Sequence, residues 1–183
     1  FEKVGREAVI SRDPAVIGKA SHLILPGVGA FPECMANLAR FDLVDPLLEF
    51  INSGKPFLGI CLGLQLLFDE SEEFGLNEGL KVIPGAVKGF EKGMGLKIPH
   101  MGWNQVFFRK SVPIFKGIDD GLYFYFVHSF YVAPTNPEDI AAESEYGIRF
   151  TCAIARDNVF AVQFHPEKSQ KNGLKILENF ASL

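Results

Sequence analysis

KPFLGICLGLQLLF, residues 55–68, is the stretch on which the fold turns. Lys55 to Ile60 is a short apolar run introduced by a proline, the signature of a strand buried on both faces. Leu62 to Phe68 has the composition of a helix, so a sharp strand-to-helix junction is expected at Cys61. The pentapeptide Gly59-Ile-Cys61-Leu-Gly63 has the pattern G-x-C-x-G, the cysteine counterpart of the G-x-S-x-G nucleophile elbow. In such an elbow the nucleophile occupies a strained turn, and flanking residues without a Cβ let strand and helix pack closely around it. The following helix N-terminus offers free N–H groups and a positive dipole end to an anionic sulfur or a developing oxyanion. Taken alone, the pentapeptide is equally readable as a buried structural cysteine between packing glycines.

Working outward, Ser21 to Leu25 is a second buried strand, stopped by Pro26-Gly27. Phe31 to Phe50 carries Met35, Leu38, Leu43, Leu47 and Phe50 at mixed spacings of three and four, which predicts helix, with Pro46 expected to divide it in two. Downstream, Gln105 to Arg109, Leu122 to Val127, Phe130 to Ala133 and Thr151 to Ala155 read as strands between Gly, Pro and Asp/Asn turn signals. Lys168 to Leu183 closes the chain with Leu174, Ile176, Leu177 and Phe180 on one helical face. The class is therefore α/β: a mostly parallel central sheet flanked by helices, with additional antiparallel strands, in a single domain over residues 1–183. At the start, Phe1 to Gly5 resembles the last turn of a glycine-capped helix and Ala8 to Ile10 a strand. A doubly wound sheet carries a strand before that helix, so an upstream first strand is expected to be missing.

A thiolate nucleophile needs a base, and the base an orienter. Of the four histidines, His22 sits at a strand start with no carboxylate beside it. His165 lies in Val162 to Glu167 (VQFHPE), where a hydrophobic strand ends and Pro166 fixes the backbone between imidazole and carboxylate. Two residues apart on an extended segment, His165 and Glu167 face the same side. Glu167 can then accept from one ring nitrogen and leave the other for Cys61. A surface His-Pro-Glu turn is the plainer alternative, but both motifs fall at ends of expected parallel strands, where α/β sheets place their sites.

Composition narrows the classes. With 183 residues, 48% hydrophobic and 22% charged, the chain can bury one sizeable core. A net charge of -4 with scattered lysines gives no footprint for nucleic acid. No apolar run reaches the length of a bilayer crossing, and the N-terminal residues do not resemble a secretory signal, so a cytoplasmic location is expected. Cys34, Cys61 and Cys152 are odd in number and lack C-x-x-C spacing, which argues against a disulfide framework and a zinc site. No metal or organic cofactor is expected. Core packing accounts for most of the 18 phenylalanines.

GICLGLQLLF together with AVQFHPEKS resembles the class I, Cys-His-Glu glutamine amidotransferases. Three further stretches, Leu25 to Phe31 (LPGVGAF), Lys97 to Asn104 (KIPHMGWN) and Tyr125 to Ser129 (YFVHS), are similar to the glutaminase subunits of imidazole glycerol phosphate synthases, and the resemblance runs from Gly5 to the last helix. It implies a Cys61, His165, Glu167 triad that hydrolyses L-glutamine through a thioester. It implies an oxyanion hole from the N–H of Leu62 and one within Gly27, Val28 and Gly29, with Gln65, His128 and Ser129 holding the amino-acid end of glutamine. It further implies a heterodimer with a cyclase (β/α)8-barrel subunit that receives the ammonia and makes imidazole glycerol phosphate and aminoimidazole carboxamide ribotide. Pro99, His100, Met101, Gly102, Trp103 and Lys168 match stretches at that interface.

Three other readings stay open at this point. An amidotransferase of another pathway shares the elbow and the His-x-Glu. A cysteine peptidase or γ-glutamyl hydrolase can use the same scaffold. A catalytically silent subunit could regulate a partner without turning over.

Overall fold

Three parallel strands converge on Cys61. In the computed structural model, which describes residues 1–91, 93 and 95–183, strand β1 (Leu23–Gly27) pairs with β2 (Phe57–Cys61), and β2 with β12 (Val159–Val162). The register sets Gly27 beside Cys61 and Ile60 beside Val162, so the carboxyl ends of all three strands finish together. That edge is where an α/β sheet exposes loop backbone and side chains for chemistry.

Around this parallel unit the sheet is mixed. Its order is β1-β2-β12-β11-β9-β5-β3-β4, with β11 (Ile148–Arg156), β9 (Phe130–Pro134), β5 (Ile83–Gly89), β3 (Phe68–Ser71) and β4 (Asn77–Glu78). β12–β11, β11–β9, β9–β5 and β3–β4 pair antiparallel while β5–β3 pairs in parallel, and β10 (Ile140–Tyr146) and β7 (Phe107–Phe108) extend the antiparallel part. A separate ladder joins β6 (His100–Gln105) to β8 (Tyr123–His128). Helices α1 (Pro14–Lys19), α2 (Phe31–Arg40), α3 (Val44–Asn52), α4 (Leu62–Gln65) and α5 (Gln170–Phe180) complete the chain. Among the described residues no helix is long and apolar enough to cross a membrane.

The two faces of the sheet feed two apolar cores. Leu58, Ile60, Phe160 and Val162 enter one; Phe57, Val159 and Ala161 enter the other. This is the period of two expected where both faces are covered, with each buried Leu, Val, Ile or Phe contributing roughly 1.5–3 kcal/mol. On α5, the buried residues Ile176, Leu177 and Phe180 form the stripe read from the sequence.

Four expectations change. Ala8 to Ile10 is not a strand: it forms no ladder, and Val9 and Ile10 lie exposed. Between α2 and α3 the break falls at residues 41–43, where Asp42 adopts a left-handed φ of 52°. Pro46 instead occupies the first turn of α3, where no N–H is required for the helix ladder. The helix after the elbow is shorter than its composition suggests. It ends at Gln65, and Phe68 begins β3, whose partner β5 captures the chain. Finally, the strand read over residues 105–109 is divided between β6, which begins earlier at His100, and the two-residue β7.

Candidate active site

Cys61 ends β2 with φ 55° and ψ -110°, a backbone conformation that favours glycine. A non-glycine residue held there costs on the order of 1–3 kcal/mol and persists only where the surroundings enforce it. Here the neighbouring glycines do so. A Cβ on Gly63 would lie 1.8 Å from the Leu25 carbonyl oxygen, and one on Gly59 would lie 2.7 Å from the Gly63 oxygen and 2.9 Å from the Ala161 Cβ. Strand β1 and the elbow therefore touch backbone to backbone, β12 closes in through the Ala161 methyl, and the nucleophile candidate is held buried at the end of β2.

His165 and Glu167 follow β12 and arrive opposite. The His165 Nδ1–H donates to Glu167 Oε1 at 2.8 Å, while Nε2 is buried without a hydrogen-bond partner in the chain. The turn carrying them is tied to β8: the His165 N–H donates to the Tyr125 carbonyl at 2.9 Å, the Tyr125 N–H donates to Ser169 Oγ at 2.9 Å, and that hydroxyl donates to the His165 carbonyl at 2.7 Å. On its other side, Gly173 of α5 packs so closely that a Cβ would lie 1.9 Å from the Pro166 carbonyl oxygen.

The Cys61 sulfur, and after it the Glu167 carboxylate, raise the His165 imidazole to about 9 against the opposing effect of burial. Of the two, the Glu167 contact is the firmer, since no aligned hydrogen bond joins the sulfur to Nε2. For Glu167, burial opposes the charge, but the His165 hydrogen bond, its own backbone N–H and nearby charges bring the carboxyl below its usual range. The sign of the pH dependence follows. A histidine raised on folding contributes stability that is fully present below its unfolded value of about 6.5 and lost as the pH rises through about 9. Thermal melts from pH 6 to pH 10 should show this loss, and Glu167→Gln should reduce it; an unchanged pH profile in the variant would count against the pair.

The remaining residues read from the sequence lie around this pair and on the β6–β8 ladder. Val28 is 83% exposed, and Gly29 beside it has a φ of 97°. Leu62 and Gln65 are buried on α4, and Gln65 Nε2 donates to the Phe130 carbonyl at 3.1 Å. Ser129 is partly exposed next to Phe130. His128 departs from the expectation that its side chain meets a ligand. Nδ1–H donates to the Phe130 carbonyl at 2.8 Å, and Nε2 accepts from His100 Nδ1–H at 2.9 Å. Burial lowers both rings, His128 to about 3 and His100 to about 4, so both are neutral and their tautomers are fixed by these partners.

His100, grouped from the sequence with an exposed face, is likewise turned inward. It stacks on Phe126 and Tyr146 and its Nε2 accepts from Asn104 Nδ2 at 3.2 Å. Strand alternation sends its neighbours the other way: Met101 is 62% exposed and Trp103 46%. Trp103 meets Tyr125 edge to face, with Lys168 Nζ 5.8 Å above the Tyr125 ring. Pro99 follows a cis peptide bond, and Gly102 has a φ of 131°. The same ladder reaches the elbow, since the Val127 carbonyl lies 3.8 Å from Cys61 Sγ. Among the described residues no cluster of His, Cys, Asp or Glu is arranged to hold a metal.

A buried base oriented by a carboxylate beside a strained thiol can perform acyl transfer. Comparison with known proteins points the same way. Residues 8–182 match the family model described as glutamine amidotransferase class-I. A protein of Syntrophotalea carbinolica described as imidazole glycerol phosphate synthase subunit HisH is 55% identical over 188 residues, covering 100% of this chain and 91% of that one. A protein of the same description from Geobacter metallireducens is 54% identical, covering 99% and 89%. Among solved structures, one described as glutamine amidotransferase superposes with a TM-score of 0.72 at 18% identity, covering 98% of this chain and 89% of that chain.

Proposed function

The chain belongs to the class-I glutamine amidotransferase family, among the HisH subunits of imidazole glycerol phosphate synthase, and from that premise we propose that Cys61, His165 and Glu167 form its catalytic triad. The activity is hydrolysis of glutamine to glutamate and ammonia in the service of histidine biosynthesis. The observation that carries the residue assignment is the His165–Glu167 hydrogen bond, which leaves Nε2 buried and unpartnered on the side of the strained Cys61.

In this reading the Cys61 thiol first gives its proton to His165 Nε2, whose raised proton affinity favours a thiolate beside an imidazolium, and Sγ then attacks the side-chain carboxamide carbon. The carbonyl oxygen becomes an oxyanion that accepts from the Leu62 N–H and from the N–H of Val28 in the Gly27-Val28-Gly29 segment. Collapse of this intermediate breaks the C–N bond, and His165 returns the proton to the departing nitrogen as ammonia forms. The thioester on Cys61 is then hydrolysed by a water that His165 deprotonates, and glutamate leaves with the free thiol restored. Gln65 Oε1 and the Ser129 hydroxyl are assigned to the amino-acid end of glutamine, with His128 supporting them from behind.

Ammonia is nucleophilic only while unprotonated, which favours a closed route to a second site. The partner we assign is a cyclase (β/α)8-barrel subunit in a heterodimer, docked on the exposed Met101 and Trp103 face beside Lys168. An apolar face with a tryptophan suits such an interface, and through Val127 it lies close to the sulfur. Because glycines flank Val28, its peptide can turn, and full activity would then await the partner. A single domain working in the cytoplasm fits this assignment.

Glutamate release from L-glutamine, measured with the chain alone and with a barrel cyclase plus its ribonucleotide substrate, tests the proposal. Strong stimulation by the partner is expected; a high unaided rate would remove the activation step, and no release in either case would remove the function. A thiol-reactive glutamine analogue should label Cys61 selectively. Cys152 is fully buried and burial pushes its thiol well up, and burial with Glu33 raises Cys34, so neither competes.

A further inference from the structure

Gln163 stands two residues before His165 and has no exposed surface. Burying an amide is costly unless its polar atoms are paired, and both ends of this one are. Nε2 donates to Cys61 Sγ at 3.7 Å, and Oε1 accepts from Gln65 Nε2 at 3.0 Å.

The direction of this chain of bonds is dictated from its far end. The Phe130 carbonyl can only accept, so the end of Gln65 that meets it must be the NH2 group. That same NH2 then faces Gln163, which must present its oxygen. The Gln163 NH2 is left pointing at the sulfur. His128, held neutral, donates to the same Phe130 carbonyl and so cannot reverse the sequence. A backbone oxygen thereby fixes which atom of Gln65 remains for a ligand, its Oε1, and which atom of Gln163 meets the nucleophile.

We propose that Gln163 is a positioning residue for the glutaminase reaction: a fixed N–H donor to the Cys61 sulfur and the anchor that holds Gln65 with its amide oxygen toward the substrate ammonium. The proposal rests on the reading of Cys61 as nucleophile and Gln65 as a substrate contact. An N–H donor binds an anionic sulfur more strongly than a neutral thiol, so Gln163 favours the state from which attack occurs.

Two variants of the full chain, assayed with the barrel partner, separate the two roles. Gln163→Glu keeps an oxygen for Gln65 but replaces the donor; kcat is expected to fall roughly ten- to a hundredfold, in line with a lost hydrogen bond to a charged group. KM for glutamine should stay nearly constant, and the deficit should deepen from pH 6.5 to pH 8.5, because a protonated carboxyl can still donate and a carboxylate cannot. Gln163→Met removes both bonds, so kcat falls and KM rises several-fold as Gln65 is freed. In that variant alkylation of Cys61 by iodoacetamide should slow several-fold at pH 7 and approach the wild-type rate near pH 10.

Unchanged alkylation in Gln163→Met overturns the donor role whatever the glutaminase assay shows. Equal changes in kcat and KM in both variants, following a common fall in melting temperature, would make Gln163 a packing residue only. Should the wild-type chain itself fail to hydrolyse glutamine, the proposed function falls, while the alkylation comparison still reads the contact to sulfur.

Discussion

Cys61→Ala is expected to abolish glutamine-dependent turnover, a loss of at least about 10⁴-fold given how little remains when a nucleophile is removed from such a triad. The complex with the barrel partner should still use ammonia supplied from solution, since the substitution touches only the step that generates it. Retained synthesis from ammonium salts with no synthesis from glutamine is the expected pair of results. Residual glutamate release near the wild-type rate would show that another residue attacks. Stability offers a second, independent reading. Alanine keeps the Cβ that makes φ 55° and ψ -110° unfavourable, so Cys61→Ala should leave the strain in place. Cys61→Gly should relieve it, and a melting temperature above that of Cys61→Ala is expected, corresponding to about 1 kcal/mol or more. If the glycine variant is no more stable than the alanine one, the elbow stores nothing.

Much of this geometry is legible in the sequence, and the reason is local. The elbow and the His-Pro-Glu turn are each specified within five residues, by glycines that permit close approach and by a proline that holds His165 extended, although Pro166 to Lys168 then form a 3-10 turn and not the extended segment expected. The strands that bring them together, residues 57–61 and 159–162, are continuous apolar runs buried on both faces. Whatever depended on a distant partner was harder to read. Ala8 to Ile10 has the composition of a strand but forms no ladder, and composition does not reveal that. Leu66 to Phe68 favours helix by propensity, yet Leu66 and Leu67 form a turn and Phe68 opens the strand that pairs with Ile83 to Val87.

His100 and Gln163 show the same limit at the site. In KIPHMGWN the face of each residue follows from alternation, and starting β6 at His100 would have placed Met101 and Trp103 together on the side opposite the histidine. Read as beginning at Gln105, the strand leaves this stretch as one surface. Gln163 carried a usable signal, a glutamine at the end of an apolar strand and on the same side as His165. Its partners come from α4 and from the elbow, about a hundred residues away, and only the fold supplies them.

Gly63→Ala should do the greatest damage to the fold for the smallest change in chemistry. The added methyl would stand 1.8 Å from the Leu25 carbonyl oxygen and 2.9 Å from its carbonyl carbon. Overpacking against flexible side chains typically costs 1–3 kcal/mol, but these atoms are backbone, in a strand whose register with β2 is fixed from Leu23 to Gly27. Relief requires β1 to separate from the elbow, and a loss of about 3 kcal/mol or more is expected, read as a lower denaturation midpoint or failure to accumulate folded protein. Gly18→Ala is the matched control. It makes the same change within α1, where no atom lies within 4 Å of the added Cβ, and it should stabilise by roughly 0.5–1 kcal/mol because alanine is the better helix former. Opposite signs for the two substitutions would locate the cost in the contact between β1 and the elbow. A mild effect at Gly63 would mean that the elbow can open without unfolding, and the strain at Cys61 would then have no rigid support.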